Sequence, residues 1–163
     1  MSSAEQVRAL RRAGEHEAAC TLAASLAAQR PEDAELQYEA ACAHDFLGRE
    51  AQAVPFYLAA LSGGLRPEQQ RSAYLGLGST YRALGDYAAA EATLREGLAH
   101  FTDAAELQTF LAMTLHNLGR PKQAVELLLT VLAQSSADVH LQHYREAILF
   151  YAQDIERSWP EAT

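Results

Sequence analysis

Residues 74–87 read YLGLGSTYRALGDY, and this stretch decides the fold. A segment of apolar and small residues leads to a Leu-Gly pair at Gly85, and a charged residue and an aromatic residue follow directly. A glycine at this place can take the left-handed conformation that ends a helix, at a lower cost than a residue with a β-carbon. The stretch therefore predicts a helix, a tight turn at Gly85, and a second helix antiparallel to the first.

The same turn recurs four times along the chain. Its glycines, Gly14, Gly48, Gly85 and Gly119, are separated by 34, 37 and 34 residues. An alanine lies five residues after each glycine, where the two helices of a hairpin approach closely and a bulky side chain would push them apart. The alanines are Ala19, Ala53, Ala90 and Ala124, and the residues four positions further on are Ala23, Tyr57, Leu94 and Leu128. Four matches at a helical-hairpin period predict an array of stacked units, because one hairpin cannot bury its own apolar face.

The third unit resembles the tetratricopeptide repeat most clearly. Tyr74 fills the usual aromatic position, Leu77 and Gly78 form the Leu-Gly pair, and Tyr81 and Ala90 occupy the next signature positions. The other units retain shorter sets of matching residues: Ala19 and Pro31 in the first, Ala41, Ala53, Tyr57 and Ala60 in the second, and Leu111, Ala112, Ala124 and Leu128 in the fourth. The resemblance implies an all-α protein, a right-handed superhelix of four helix-turn-helix repeats with a C-terminal capping helix.

The glycine spacing and the proline positions give a map of one domain over residues 1–157. The repeats are expected at about 1–31, 32–65, 66–102 and 103–136, followed by a terminal helix at about 138–157 and a tail, 158–163. The longer 37-residue interval fits an extended loop at residues 62–65. Pro55 lies about one turn inside its helix, and we expect a kink or an early 3₁₀ turn there.

Self-association is a second expectation. The segments AHDFLG (43–48) and AVPFY (53–57) resemble a group of small uncharacterised bacterial proteins of this class, for which self-association is a plausible property to carry over. The terminal helix also has too many apolar residues for one buried face, so part of it should pack on the fourth unit and the rest should meet a second copy or close the groove. The residues expected to form a homodimer contact are Ile148, Tyr151, Ile155 and Trp159.

A binding surface is expected where the resemblance places the first helix of each pair, on the concave wall. The inward positions at helical spacing are Tyr38, Asp45, Ser79, Arg82, Met113, His116, Asn117, His143 and Tyr144. Some of these residues could simply pack between neighbouring units. The carboxylate clamp known for these repeats needs lysines on successive first helices, but Lys122 is the only lysine and lies on a second helix. Arg82 could still hold one carboxylate through paired guanidinium hydrogen bonds.

Composition and motifs argue against several other classes. Thirteen basic and twenty-one acidic residues give a net charge of 13 − 21 = −8. The one basic cluster, formed by Arg8, Arg11 and Arg12, is interpreted as the solvated face of the first helix. We therefore expect no nucleic-acid partner. His140 and His143 share a helix face, but no metal-binding motif accompanies them, and we expect no metal or cofactor. A catalytic serine, threonine or cysteine needs a general base within hydrogen-bond reach, and no sequence spacing here predicts such a pair. The chain is therefore not expected to be an enzyme.

The sequence carries neither a secretory signal pattern nor a long apolar run, which gives the expectation of a cytoplasmic protein without a membrane partner. Two main functions remain. The first is an interaction module that presents a concave groove to a peptide or protein segment. The alternative is a sensor domain that binds a small ligand or effector at the polar centre of the groove, and a homo-oligomeric structural protein is a third possibility.

Overall fold

The computed structural model describes residues 1–159, and ten α-helices and no strand lie within them. Eight of these helices pair into four hairpins, which we call units 1 to 4. The pairs are α1 (Ser3–Arg12) with α2 (His16–Gln29), α3 (Ala34–Phe46) with α4 (Glu50–Ser62), α5 (Pro67–Ala83) with α6 (Tyr87–His100), and α7 (Ala105–Asn117) with α8 (Pro121–Ser135). Two short helices follow, α9 (Val139–His143) and α10 (Arg145–Tyr151).

The four repeated glycines end the first helix of each hairpin, as the sequence predicts. Their φ angles are +80° at Gly14, +68° at Gly48, +80° at Gly85 and +73° at Gly119. In each turn the residue after the glycine donates its N–H to a carbonyl five positions earlier, as Asp86 does to Tyr81 at 2.9 Å. This pairing satisfies carbonyls that a helix end would otherwise leave free, so the same turn closes all four units.

Pro55 does not interrupt its helix. The predicted early 3₁₀ turn is not formed, because α4 is α-helical from Glu50 to Ser62 with Pro55 inside it. The kink expected at Pro55 stays a prediction. Pro55 comes early enough that its absent N–H affects only the second turn, where the helix is already held by the packing of Ala53 and Tyr57.

The core lies between units, in three clusters that each join two neighbouring hairpins. Ala23 of α2 packs with Ala40 of α3, Tyr57 of α4 packs with Leu77 of α5, and Leu94 of α6 packs with Leu107 of α7. The first helix of each unit therefore covers the preceding hairpin. This sequential burial is the physical basis of a repeat array, because each unit is stable only against its neighbours.

Two glycines inside α5 permit close packing on both sides. A β-carbon on Gly76 would overlap the phenol ring of Tyr57, and one on Gly78 would lie 2.6 Å from Cγ of Leu94. The Gly76-x-Gly78 pair therefore allows α5 to pack closely against α4 and α6.

The C-terminal segment packs on unit 4, but with a different extent from the one expected. A single helix over residues 138–157 was predicted, whereas the structure has α9 and α10, separated at Tyr144, with helical geometry ending at Tyr151. Asp138 caps α9 by accepting hydrogen bonds from the N–H groups of His140 and Leu141. α10 packs against α8, and Ala152 after it is buried there. None of the helices in the described part of the chain is both long enough and apolar enough to span a bilayer.

Candidate binding surface

The first helices contact one another in sequence, α1 with α3, α3 with α5, and α5 with α7, and together form one wall of the molecule, which we call the first-helix wall. Polar side chains link neighbouring helices of this wall at a repeating separation of 34 or 35 residues. The linked pairs are Glu35 with Gln69, Asp45 with Thr80, Arg71 with Glu106, and Arg82 with Asn117. These separations are close to the length of one repeat, so side chains at similar levels of successive first helices meet, and the wall is built as a polar ladder.

Arg82 and Asn117 form the last rung of this ladder. Nε of Arg82 donates to Oδ1 of Asn117 at 2.8 Å. The guanidinium group has five N–H donors in a fixed plane, so this bond holds the plane in place while its terminal nitrogens can still donate. The structure thus brings together two of the residues that the sequence singled out.

Asp45 is engaged inside the wall. Its carboxylate accepts hydrogen bonds from Oη of Tyr57 at 3.0 Å and from Oγ1 of Thr80 at 3.1 Å. Burial raises the pKa of Asp45, and the two hydrogen bonds act in the opposite direction. Asp45 therefore fastens unit 2 to unit 3, and its carboxylate is committed to that contact.

A cleft of about 250 Å³ lies at the end of the first-helix wall, between α7 and α8. Met113 is half-buried and His116 is exposed beside it. The cleft is mostly apolar, with a guanidinium and an imidazole at its edge; its lining residues are Arg82, Ala112, Met113, His116, Pro121, Ala124, Val125 and Leu128. This combination suits an apolar side chain next to an acidic group.

The remaining predicted residues of the groove are dispersed. Tyr38 is half-buried and packs edge-to-face on Tyr57 with ring centroids 6.4 Å apart, and burial raises its pKa. Ser79 lies half-buried on α5. His143 and Tyr144 are exposed at the break between α9 and α10, with centroids 4.9 Å apart, and neither lines the cleft.

The predicted self-association residues lie around α10. Ile148 is half-buried, whereas Tyr151, Ile155 and Trp159 are exposed. Trp159 packs on Tyr151 at 5.6 Å and stacks on Phe150 at 5.4 Å between centroids. The side chains form an exposed aromatic cluster, which we define as Phe150, Tyr151 and Trp159.

A second cleft, of about 360 Å³, lies near the N-terminus and was not foreseen. Its lining residues are Arg8, Arg11, Arg12, His16 and Phe46. The imidazole of His16 stacks on the exposed ring of Phe46 at 4.0 Å, and its Nδ1 is buried without a hydrogen-bond partner. The arginine cluster, Arg8, Arg11 and Arg12, is the one feature of the sequence that could have indicated this cleft.

The sequence placed this arginine cluster on a solvated face, and the structure corrects that reading. Arg8 and Arg11 each donate to the carboxylate of Glu39 on α3, at 2.8 and 2.9 Å, and Glu39 is 2% exposed. The pKa of Arg8 is raised: burial lowers it, but hydrogen bonds to Glu35, Glu39 and Glu5 outweigh that effect. The arginines lock unit 1 to unit 2, which a prediction from α1 alone could not reveal.

Within residues 1–159, no three histidine, cysteine, aspartate or glutamate side chains come together in a way that could hold a metal ion. Cys20 and Cys42 are free thiols; burial raises the pKa of Cys42, which favours an inert thiol.

Known proteins with this architecture are repeat proteins. The chain is similar to YrrB, described as a TPR protein with an unusual peptide-binding site, with a TM-score of 0.71 at 17% identity over 94% of this chain and 78% of that one. It is also similar to a Podospora anserina protein assigned as a kinesin light chain with nearly identical TPR-like repeats, with a TM-score of 0.67 at 20% identity over 92% and 83% of the two chains. At these identities the likeness shows the fold alone.

No curated protein matches the sequence. The family model described as the tetratrico peptide repeat matches residues 34–155, which is most of the chain. The glycine-closed hairpins, the unit-to-unit core and this match agree, and the chain belongs to the tetratricopeptide repeat family.

Proposed function

We propose that this tetratricopeptide repeat chain, an interaction module by its family, is a non-enzymatic protein that binds a peptide or protein segment on the first-helix wall. The contact would centre on Arg82 and the adjoining cleft. The observation that carries the proposal is the Arg82–Asn117 hydrogen bond of 2.8 Å at the rim of an apolar cleft lined by Met113 and Leu128. An oriented guanidinium group beside apolar side chains can recognise an acidic residue, or a C-terminal carboxylate, that is followed or preceded by an apolar residue.

The likeness to YrrB supports a peptide as the ligand, because that fold neighbour has a peptide-binding site. A small-ligand sensor has less support. Its polar centre would need several convergent free groups, whereas the carboxylate of Asp45 is committed to Tyr57 and Thr80.

The test is a selection of peptides with free C-termini against the full chain, followed by affinity measurements on variants. Arg82→Ala should weaken binding of the selected acidic-apolar peptides by about 10- to 100-fold, since a charge-assisted hydrogen bond contributes about 1.5–3 kcal/mol. Arg95→Ala is the matched control, because Arg95 lies exposed on α6 and pairs with Glu91. Peptides that bind both variants equally well would rule out the first-helix wall as the site.

Homodimerisation is a second candidate, supported by the aromatic cluster of Phe150, Tyr151 and Trp159. Their exposures are 52%, 50% and 48%, high values for three adjoining aromatic side chains. Exposed tyrosine and tryptophan are enriched at protein interfaces. Light scattering on the full chain should give twice the monomer mass of 17.8 kDa, and Tyr151→Asp with Trp159→Asp should return it to the monomer. A wild-type monomer at all accessible concentrations would dismiss the dimer.

A further inference from the structure

Within residues 1–159, unit 4 carries an exposed apolar face at the end of the repeat array. We call it the end face and define it by the exposed Val125, Leu128 and Leu132 and the half-buried Met113. We propose that it binds an amphipathic helix of a partner protein, one that copies the first helix of a repeat and extends the array by half a unit. The end face shares Met113, Val125 and Leu128 with the cleft beside Arg82, but this contact does not depend on the Arg82 guanidinium.

The first support comes from equivalent positions in the four units. Ala23, Tyr57 and Leu94 are 0%, 3% and 0% exposed, each covered by the first helix of the next unit. Leu128 is the fourth member of this series and is 41% exposed. The end face therefore continues three interfaces that already exist within the molecule, and each of those is occupied by a helix.

The face has also kept the chemistry of a covered surface. Leu94 packs beneath Leu107 of α7, and its equivalent in unit 4 is the identical residue Leu128. Val125 and Leu132 extend the apolar surface and are 44% and 41% exposed. Apolar side chains grouped in this way on a surface mark an interaction site.

The chain's own C-terminal segment lies elsewhere. Lys122 of α8 pairs with Asp154, and Glu126 accepts a hydrogen bond from the N–H of Ile155, so this segment packs on a neighbouring face of α8. The equivalents of Lys122 and Glu126 in unit 3, Ala88 and Ala92, are exposed. Residues 145–156 thus cover a face of α8 that is exposed to solvent on the equivalent helix of unit 3. They do not cover Leu128 of the end face, whose equivalents in units 1 to 3 are buried.

The reason is visible in the register of the repeat. The covering helices place buried apolar residues four positions apart, followed by a small one; the three sets are Leu36, Ala40 and Ala41, then Ala73, Leu77 and Gly78, then Leu107, Leu111 and Ala112. The next set in register is Leu141, Arg145 and Glu146. Two adjacent charges at core positions would be buried without partners, which is too costly for the segment to act as a fifth first helix.

These facts define the partner. Its helix has apolar residues at positions i and i+4 and a small residue at i+5, the pattern of α7. In the folded chain, α3, α5 and α7 already pack against the preceding units, through α2, α4 and α6. A folded second copy therefore has no such helix free to bind the end face.

The test uses a synthetic peptide with the sequence of residues 103–117, capped at both ends and labelled for fluorescence anisotropy with the full-length protein. The control peptide carries Leu111→Arg and Ala112→Glu, which copies the charges at Arg145 and Glu146. The protein variants are Leu128→Glu on the end face and Leu58→Glu on α4; the two leucines are 41% and 48% exposed. Circular dichroism checks that both variants fold.

The peptide should bind the wild type and Leu58→Glu equally, and Leu128→Glu and the control peptide should each weaken binding about ten-fold or more, because a charge would be buried against the face. Absence of saturable binding, or equal binding to Leu128→Glu, overturns the proposal. A homodimer that Leu128→Glu alone dissociates would assign the end face to a second copy and overturn it as well. Arg82→Ala separates the two proposals: it should bind the helical peptide as the wild type does, and it should weaken only the acidic-apolar peptides proposed for the first-helix wall.

Discussion

Asp45 of α3 and Thr80 of α5 are hydrogen-bonded across the boundary between units 2 and 3, with 3.1 Å between Oδ1 and Oγ1. The Thr80 hydroxyl has a single proton, and the carbonyl oxygen of Gly76, 2.8 Å away, is a second acceptor for it. An ionised Asp45 can only accept, so this group of atoms is one proton short. A neutral residue that donates at position 45 would complete the network.

Asp45→Asn is therefore expected to stabilise the protein at neutral pH. Burial raises the pKa of Asp45 in the folded state, so its contribution to stability is fully present below the pKa of the unfolded chain. That contribution is lost as the pH rises through the raised value. Asparagine donates at every pH, and we expect a gain of about 1 kcal/mol at neutral pH and none in acid. Urea unfolding over a pH series measures it.

The controls for position 45 separate the network from general charge effects. Asp103→Asn, at an exposed aspartate, should change the free energy of unfolding at neutral pH by less than about 0.5 kcal/mol. Asp45→Ala should cost about 1–3 kcal/mol, since it leaves the buried Oη of Tyr57 without its acceptor. A less stable Asp45→Asn at neutral pH would contradict the account.

The buried carboxylate of Glu39 gives a second prediction. Glu39→Gln removes the charge that Arg8 and Arg11 share, and both cations remain partly desolvated. Breaking a fully buried pair costs about 3–5 kcal/mol. Since the two arginine side chains are 27% and 32% exposed, we expect about 2–3 kcal/mol instead. Guanidinium chloride would screen the pair, so the free energy of unfolding is best measured in urea.

Glu35 is the matched control for Glu39. It also accepts from Arg8, at 2.9 Å, but its side chain is 37% exposed, so Glu35→Gln should cost less than about 1 kcal/mol. Equal losses for the two variants would show that burial of Glu39 has no special weight.

The fold could be predicted from the sequence because it depends on local signals. Each turn contains a glycine that adopts a positive φ angle. The alanine five positions later indicates that two helices approach closely there. The repeated period then fixes which hairpins meet. The same reasoning placed Arg82 and Asn117 on neighbouring first helices, and the structure joins the two side chains by a hydrogen bond.

The sequence could not reveal contacts that depend on side-chain reach between units. Arg8 and Arg11 look solvated on α1, and only the position of α3 shows that they surround Glu39. The helix predicted over residues 138–157 is too long because the prediction rested on apolar content alone. In the register of the repeat, Arg145 and Glu146 fall at core positions.

Gly76→Ala supplies a third prediction, in which helix propensity and packing oppose each other. Alanine favours a helix over glycine by about 1 kcal/mol. The new β-carbon would lie 2.5 Å from Cζ of Tyr57, a ring that Asp45 holds in place. Overpacking costs about 1–3 kcal/mol. We therefore expect a net loss of up to about 2 kcal/mol in thermal or urea unfolding.

Two companions test the cause of that loss. Ser79→Ala, on the same helix, should change stability by less than about 0.5 kcal/mol. In a Tyr57→Phe background the ring is released from Asp45, and Gly76→Ala should cost less than in the wild type. Identical costs in both backgrounds would show that Tyr57 is not the obstacle.

The last prediction concerns the attachment of α10 to α8. Nζ of Lys122 lies 2.6 Å from Oδ1 of Asp154 and 3.5 Å from Oε2 of Glu156. The hydrogen bond to Asp154 is the main cause of the raised pKa of Lys122, and the same bond lowers the pKa of Asp154. A seven-residue helix is not stable alone, so α10 depends on these contacts and on the burial of Ala152.

Lys122→Met should accordingly speed amide hydrogen exchange in residues 145–156 and leave exchange in α3 to α7 unchanged. Because the pKa of Asp154 is lowered in the folded state, the contact stabilises above the pKa of the unfolded chain and is lost as the pH falls. After correction for intrinsic rates, wild type and variant should therefore converge in acid, and added salt should narrow the difference at neutral pH. Arg95→Met, which removes a cation from α6, should leave residues 145–156 protected; equal deprotection in both variants would mean that Lys122 does not hold the segment.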